Sequence, residues 1–371
     1  MRWPQLRAAT SLSKRILLAA GMAVVACMPD RPVAPGSGTK RSDVPGASVP
    51  IGQFSVLHLP TYDGSGETVH PTYAGPPSPW PSSLHYLFVT PYPNGASAME
   101  NPSIFAGLDG VAWDSLPNAP DPLIRPDNGT YLSDPEAVYE PDLNELYLYY
   151  RQVADSNIIN LITSTDGAHW DVPRVVVKGA NHTVISPAVV RLSAGDWLMW
   201  SVNAGRLGCD AETTTVELRR SVDGLRWSPA QTVALTQPGS WPWHIEVKWI
   251  PSRSEYWAVY NTKLPSNCAT SLLYLATSPD GMIWTTYPSP MLMAGATPEL
   301  QDIVYRSTFS YDARTDVITF WYSGARYDGK RYKWSTVMQR RARAEVFAQI
   351  SRSPAAALFT SRRAPALVNP P

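Results

Sequence analysis

The chain has 371 residues, with 31 Lys+Arg cancelled by 31 Asp+Glu, so it lacks the basic excess of a nucleic-acid footprint. Charged residues make up 17% and hydrophobic residues 44%, which excludes a wholly disordered chain and supplies a sizeable core. The load of 14 Trp, 18 Tyr and 36 Pro points to many short strands and turns rather than long helices.

At the N-terminus, Arg2, Arg7, Lys14 and Arg15 precede an apolar run of eleven residues, Ile16 to Ala26. A run this short falls well below the roughly 20 residues of a membrane span and reads as a signal peptide. Its end, Val24-Val25-Ala26-Cys27, resembles the lipobox of bacterial lipoproteins. That resemblance implies a lipid on Cys27, attachment to a membrane without spanning it, and a place in the cell envelope at the outer membrane or cell surface. Residues 28–59 are rich in Pro, Gly and Ser and read as a tether. Residues 346–371 read as a basic, Ala- and Pro-rich tail.

Between these ends the chain repeats. Asp109-Gly110-Val111-Ala112-Trp113 returns at Asp166, Asp223 and Asp280, a constant interval of 57 residues. Ser164, Ser221 and Ser278 precede the last three copies, which gives S-x-D-G-x-x-W. Asp328-Gly329 with Trp334 reads as a degenerate fifth copy. Asp-Gly suits a tight turn between strands because Gly tolerates positive φ. The second copy shows the unit as four strands: Asp134 to Tyr139, Glu145 to Arg151, Ile158 to Ser164 and Arg174 to Lys178. Four-stranded units repeated radially make a β-propeller. The expected fold is therefore all-β, a five-bladed β-propeller over residues 60–345. Either Gln53 to Leu59 or Glu345 to Ile350 supplies the closing strand.

Chain direction puts the repeated turns on the bottom face, as scaffold, so function belongs where the copies differ. Aligned by their second strands, the copies place His70, Asp134, Ser186, His244 and Arg306 at the tops of the inner strands. Two residues on, along the same side of a period-2 strand, come Thr72, Glu136, Ala188, Glu246 and Thr308. Glu100 and Asn101 start a third strand on the same face, Arg151 ends a second strand there, and Trp243 and Tyr305 line the mouth.

The strand starts His70-Pro71, Ser133-Asp134-Pro135, Ser186-Pro187 and Trp243-His244-Ile245-Glu246-Val247 resemble those of the five-bladed propeller glycosidases of glycoside hydrolase families 43 and 32. The resemblance implies hydrolysis of a glycosidic bond in an extracellular oligo- or polysaccharide. Those families place carboxylates at the tops of the first three inner strands. Here only Asp134 is kept, while His70 and Ser186 take the other two places. Glycoside hydrolysis needs two carboxyl groups, so Glu246 and Glu100 are the candidate partners of Asp134. His70, Asn101, Arg151, Trp243, His244 and Arg306 are expected to bind substrate. A carbohydrate-binding protein without catalysis is the open alternative, since a fold does not fix an activity.

No G-x-S-x-G, H-E-x-x-H, P-loop, C-x-x-C or G-x-G-x-x-G occurs in the sequence, so neither a cofactor nor a metal site is expected from motifs. Cys209 and Cys268 fall in comparable loops of adjacent blades, and in an oxidising compartment they are expected to form a disulfide. The expected state is a monomer.

Overall fold

The computed structural model describes residues 49–75, 84–126, 129–265, 267–268 and 270–352. The signal peptide, Cys27 and most of the tether lie outside the described residues, as does the tail beyond residue 352. Among the described residues no helix is long and apolar enough to cross a membrane.

Each blade is a short antiparallel meander because turn residues interrupt every strand run. Blade 1 is Thr68–Ala74, His85–Pro91, Ser103–Gly107 and Asp114–Ser115, from the axis outward. Blade 2 is Tyr131–Glu140, Glu145–Val153, Ser156–Ser164 and Arg174–Ala180. Blade 3 is Ile185–Ser193, Asp196–Asn203, Thr215–Ser221 and Gln231–Thr232. Blade 4 is Trp241–Ile250, Glu255–Lys263, Leu272–Ser278 and Thr285–Thr286. Blade 5 takes Thr308–Asp312, Val317–Tyr327 and Tyr332–Ala342 from the C-terminal end. Its outer strand is Phe54–Val56, with Phe54 opposite Gln339 and Val56 opposite Val337. The five-bladed propeller is thus closed by its own N-terminal strand.

That closure revises three expectations. The stretch around Leu57 and Leu59 is buried against blades 1 and 5, so the last part of residues 28–59 belongs to the propeller rather than to a tether. The other candidate closing segment forms a helix, Arg343–Ile350, whose Val346 and Ile350 are buried; the tail therefore begins later than residue 346. The fifth Asp-Gly is also not a copy of the repeat. Asp328-Gly329 joins the second and third strands of blade 5, whereas the other four turns join third and fourth strands. A blade whose fourth strand comes from elsewhere has no hairpin at that place and needs no turn motif.

The apolar core lies between blades rather than at the centre. Trp200, Leu218, Trp243 and Tyr260 pack between blades 3 and 4, and Tyr86, Phe88, Leu148 and Tyr150 pack between blades 1 and 2. The turns staple these layers. Asp166 Oδ1 accepts from the amides of Ala168 and His169 at 2.8 Å each, and Ser164 Oγ accepts from Gly167 N at 2.8 Å. Across to the next blade, Tyr149 donates to Gly224 O at 2.8 Å and Trp200 Nε1 donates to Gly281 O at 2.9 Å.

Gly281 has φ +72°, and a Cβ there would sit 2.5 Å from Trp200 Cζ2. Gly281→Ala is therefore expected to cost about 2–3 kcal/mol, from the left-handed backbone and the overpacked indole together. Gly64→Ala, with φ +73° and nothing within 4 Å, carries only the backbone part, roughly 1 kcal/mol. Urea unfolding of both variants separates the two. Equal losses would show that the Trp200 contact contributes nothing.

Cys209 and Cys268 are joined, with their Cα atoms 5.4 Å apart. The bridge ties the second-to-third-strand loops of blades 3 and 4, on the face where the inner strands begin.

Candidate active site

The inner strands of blades 1, 2 and 3 begin with the same backbone device. His70, Asp134 and Ser186 have φ of +55°, +51° and +51°, and each stands directly before a proline. A proline disfavours the helical region for the residue before it, and a non-glycine residue at positive φ is strained. The ladders shift register at these points, between Val69 and Thr72, Ser133 and Glu136, and Ile185 and Ala188. Blade 4 shifts similarly between Pro242 and His244. A bulge re-aims the side chain it carries, and here four bulges turn four polar side chains toward one another.

Asp134 is at the centre, with no exposed surface. Its Oδ1 lies 3.4 Å from His70 Nε2 and 3.3 Å from His244 Nδ1, and accepts from Ser186 Oγ at 3.2 Å. Its Oδ2 lies 2.8 Å from Arg151 Nε. Ser186 Oγ is also 2.5 Å from His244 Nδ1. On the far side of His70, Nδ1 is 3.2 Å from Thr90 Oγ1 and 3.5 Å from Glu100 Oε2. Tyr305 packs on His244 with ring centroids 4.3 Å apart, and Trp243 Nε1 donates to the Tyr305 hydroxyl at 3.2 Å.

The charges follow from this packing. Burial opposes ionisation of Asp134, but the Arg151 guanidinium leads the groups that outweigh it and hold the carboxyl well below the usual carboxylate range. Burial pushes His70 well down and His244 down, so both rings are neutral near pH 7. Burial, reinforced by Asp134, raises Glu100 well above the usual range and keeps its proton. One cluster thus holds an ionised carboxylate, two neutral imidazoles and a protonated carboxylic acid.

Two neutral imidazoles and a carboxylate, all deprotonated, are the ligand forms that a divalent metal requires. One donor atom from each of His70, Asp134 and His244 lies within 4.8 Å of the others. His70 Nε2 and His244 Nε2 are buried and have no hydrogen-bond partner, a costly arrangement unless something else engages them. The set fits a Zn²⁺-type ion, which takes nitrogen and oxygen ligands and keeps an open position in catalytic sites. Motifs predicted no metal site. The fold brings this candidate ligand set together from three blades, so no short sequence spacing could reveal it.

The structure separates the three candidate carboxyl groups. Asp134 and Glu100 both reach His70, whereas Glu246 lies one layer down the axis. There Glu246 accepts from Thr308 Oγ1 at 2.7 Å and pairs with Lys248 at 2.8 Å and Arg306 at 3.2 Å. Glu136 shares that layer, 3.0 Å from Arg306 and 3.5 Å from Lys248, and accepts from Thr72 Oγ1 at 3.1 Å. Burial and the facing Glu246 push Glu136 upward. Arg306 has no exposed side-chain surface and sits beneath the mouth rather than in it. Asn101 donates Nδ2 to the Tyr62 hydroxyl at 2.9 Å, and that hydroxyl donates to Met99 O at 2.7 Å.

The chain matches no protein-family model. It is 26% identical over 326 residues to an A type blood N-acetyl-α-D-galactosamine deacetylase of Flavonifractor plautii. That alignment covers 74% of this chain but only 42% of the relative. Among solved structures, an N-acetylgalactosamine deacetylase from F. plautii in complex with blood group B trisaccharide superposes with a TM-score of 0.72 at 22% identity. It covers 80% of this chain and 97% of that one. A thermostable family-43 glycoside hydrolase gives 0.54 at 13% identity, covering 74% and 89%. Both share the propeller fold with this chain.

Proposed function

We propose that this chain is a metal-dependent carbohydrate deacetylase, which hydrolyses the acetamido group of an N-acetylated hexosamine in a glycan. The observation that carries the reading is the buried His70–Asp134–His244 set with Glu100 beside it. A glycosidase of the family-43 type has carboxyl groups where His70 and Ser186 stand; here His70 belongs to the candidate ligand set, and Ser186 donates to Asp134. The deacetylase relative supports the same reading.

When bound, a divalent cation supplies polarisation of the acetamido carbonyl and a water acidified for attack. The chain's own residues do the rest. Arg151 keeps Asp134 ionised. Thr90 hydrogen-bonds Nδ1 of His70 and so orients its Nε2 toward Asp134, the usual outer-shell arrangement for a ligating histidine. Glu100 carries the proton that the departing amine must gain when the C–N bond breaks, at a carboxyl 3.5 Å from a ligand ring. Tyr305, partly exposed beside His244, offers an aromatic face to the sugar, and Trp243 holds its hydroxyl.

The test is to load the full chain with zinc and offer it N-acetylgalactosamine- and N-acetylglucosamine-terminated oligosaccharides. One equivalent of acetate per amine, abolished by a chelator and restored by zinc, is the expected outcome. Cleavage of glycosidic bonds with no acetate would replace this reading with the glycosidase one. Binding with neither product would leave a carbohydrate-binding protein.

A further inference from the structure

The two terminal nitrogens of Arg306 are committed to protein groups, while its Nε is buried without a hydrogen-bond partner. Its Nη1 donates to Pro135 O at 2.6 Å, and its Nη2 donates to Pro187 O at 3.3 Å. The same Nη2 reaches Glu136 Oε2 at 3.0 Å and Glu246 Oε2 at 3.2 Å. Its own backbone is held by Ser323, whose hydroxyl donates to Arg306 O at 2.5 Å. Pro135 and Pro187 are the residues directly after Asp134 and Ser186, the two positive-φ residues that meet above Arg306.

We propose that Arg306 is the positioning residue of the site: from blade 5 it clamps the Pro135 and Pro187 carbonyls in the inner strands of blades 2 and 3 and so holds Asp134 and Ser186 in their left-handed conformations. Strained backbone persists only where its surroundings over-determine it. The carbonyl that Arg306 grips is that of the proline directly after each strained residue. Released, the two strand starts would relax toward ordinary extended geometry and carry the Asp134 carboxylate out from between His70 and His244. The planar fork of arginine suits two acceptors at once, whereas the single ammonium of lysine does not. Glu246, with Glu136 beside it, faces the buried guanidinium. The proposal rests on the metal reading of the site for its kinetic consequences, but not for its geometric one.

Arg306→Met alone would leave Glu136 and Glu246 buried and facing only Lys248, so the working variant pairs Arg306→Met with Glu136→Gln, which removes one of the two acids. Arg306→Lys is the second variant, keeping the charge and losing the fork. Glu136→Gln alone is the control. The control is expected to bind zinc within threefold of the parent. Both Arg306 variants are expected to bind it 10- to 100-fold more weakly, the range for losing an outer-shell support. Their Co²⁺-substituted forms should show an altered visible spectrum, and their crystal structures a displaced Asp134. Parental zinc affinity with Asp134 and Ser186 unmoved would overturn the proposal. Parental zinc affinity with a raised KM would instead put Arg306 on the substrate. If the parent itself binds no zinc, the metal reading fails, and the position of Asp134 in the variant crystals still decides the role of Arg306.

Discussion

Asp134→Asn is expected to abolish zinc retention and to lower kcat/KM for deacetylation by roughly 10³-fold or more, the scale of losing a principal electrostatic element of an active site. The substitution keeps the shape and an acceptor oxygen but removes the charge on which His70, His244, Ser186 and Arg151 all converge. It also has a folding consequence. Arg151 is 2.8 Å from Asp134 and nearly buried, so the variant leaves a buried guanidinium without its counter-charge. Breaking a buried pair in this way costs about 3–5 kcal/mol. The pH dependence has a definite sign. The folded pKa of Asp134 is depressed, so its stabilising contribution is present above the unfolded carboxylate value near 3.8 and is lost as pH falls through the lower folded value. Acid unfolding of the variant should lack that component. Zinc titration, kinetics and acid denaturation on one preparation measure all three effects. Asp166→Asn, in an exposed bottom turn, is the comparison: a modest loss of stability with kcat unchanged. An Asp134 variant that still binds zinc and turns over at the parental rate would remove Asp134 from the site.

The 57-residue interval carried most of the architecture. It made five blades countable, put Asp109, Asp166, Asp223 and Asp280 on the scaffold face, and left His70, Asp134, Ser186 and His244 at one mouth, where their side chains meet. The period-2 step from that layer to the next likewise placed Thr72, Glu136, Glu246 and Thr308 together, where Thr72 donates to Glu136, Thr308 donates to Glu246, and Arg306 bridges the two glutamates. What pattern reading could not supply was the third dimension of each strand start. The positive φ at three X-Pro steps is set by bulges that tertiary contacts enforce, and propensity alone argues against it. For the same reason Arg306 stood in the alignment as a mouth residue, although its long side chain runs to the axis below. The Asp328-Gly329 pair misled because a local turn signal does not say which two strands it joins. The N-terminal closing strand, which removes the hairpin from blade 5, is a contact between distant parts of the chain.

Glu100→Gln is expected to separate chemistry from metal binding. The side chain adjoins His70 Nδ1 at 3.5 Å without being a donor in the metal set, so zinc affinity should fall by no more than the roughly 10-fold that mild outer-shell changes cause. Glutamine can hydrogen-bond in the same place but cannot give up a proton to the leaving amine. The expected loss in kcat is therefore 10²- to 10⁴-fold, the usual worth of a positioned general acid, with KM little changed. Stability should move the other way. Burial raises the folded pKa of Glu100 above its unfolded value, so its contribution is full below the unfolded pKa and is lost as pH rises through the folded one. Glutamine never ionises, so at pH 8 the variant should be at least as stable as the parent while turning over far more slowly. A variant that loses zinc, stability and rate together would assign Glu100 to holding the loop after Met99 rather than to proton transfer. A variant that keeps full kcat would leave the amine's proton to another group, and the proposed mechanism would have to give up Glu100.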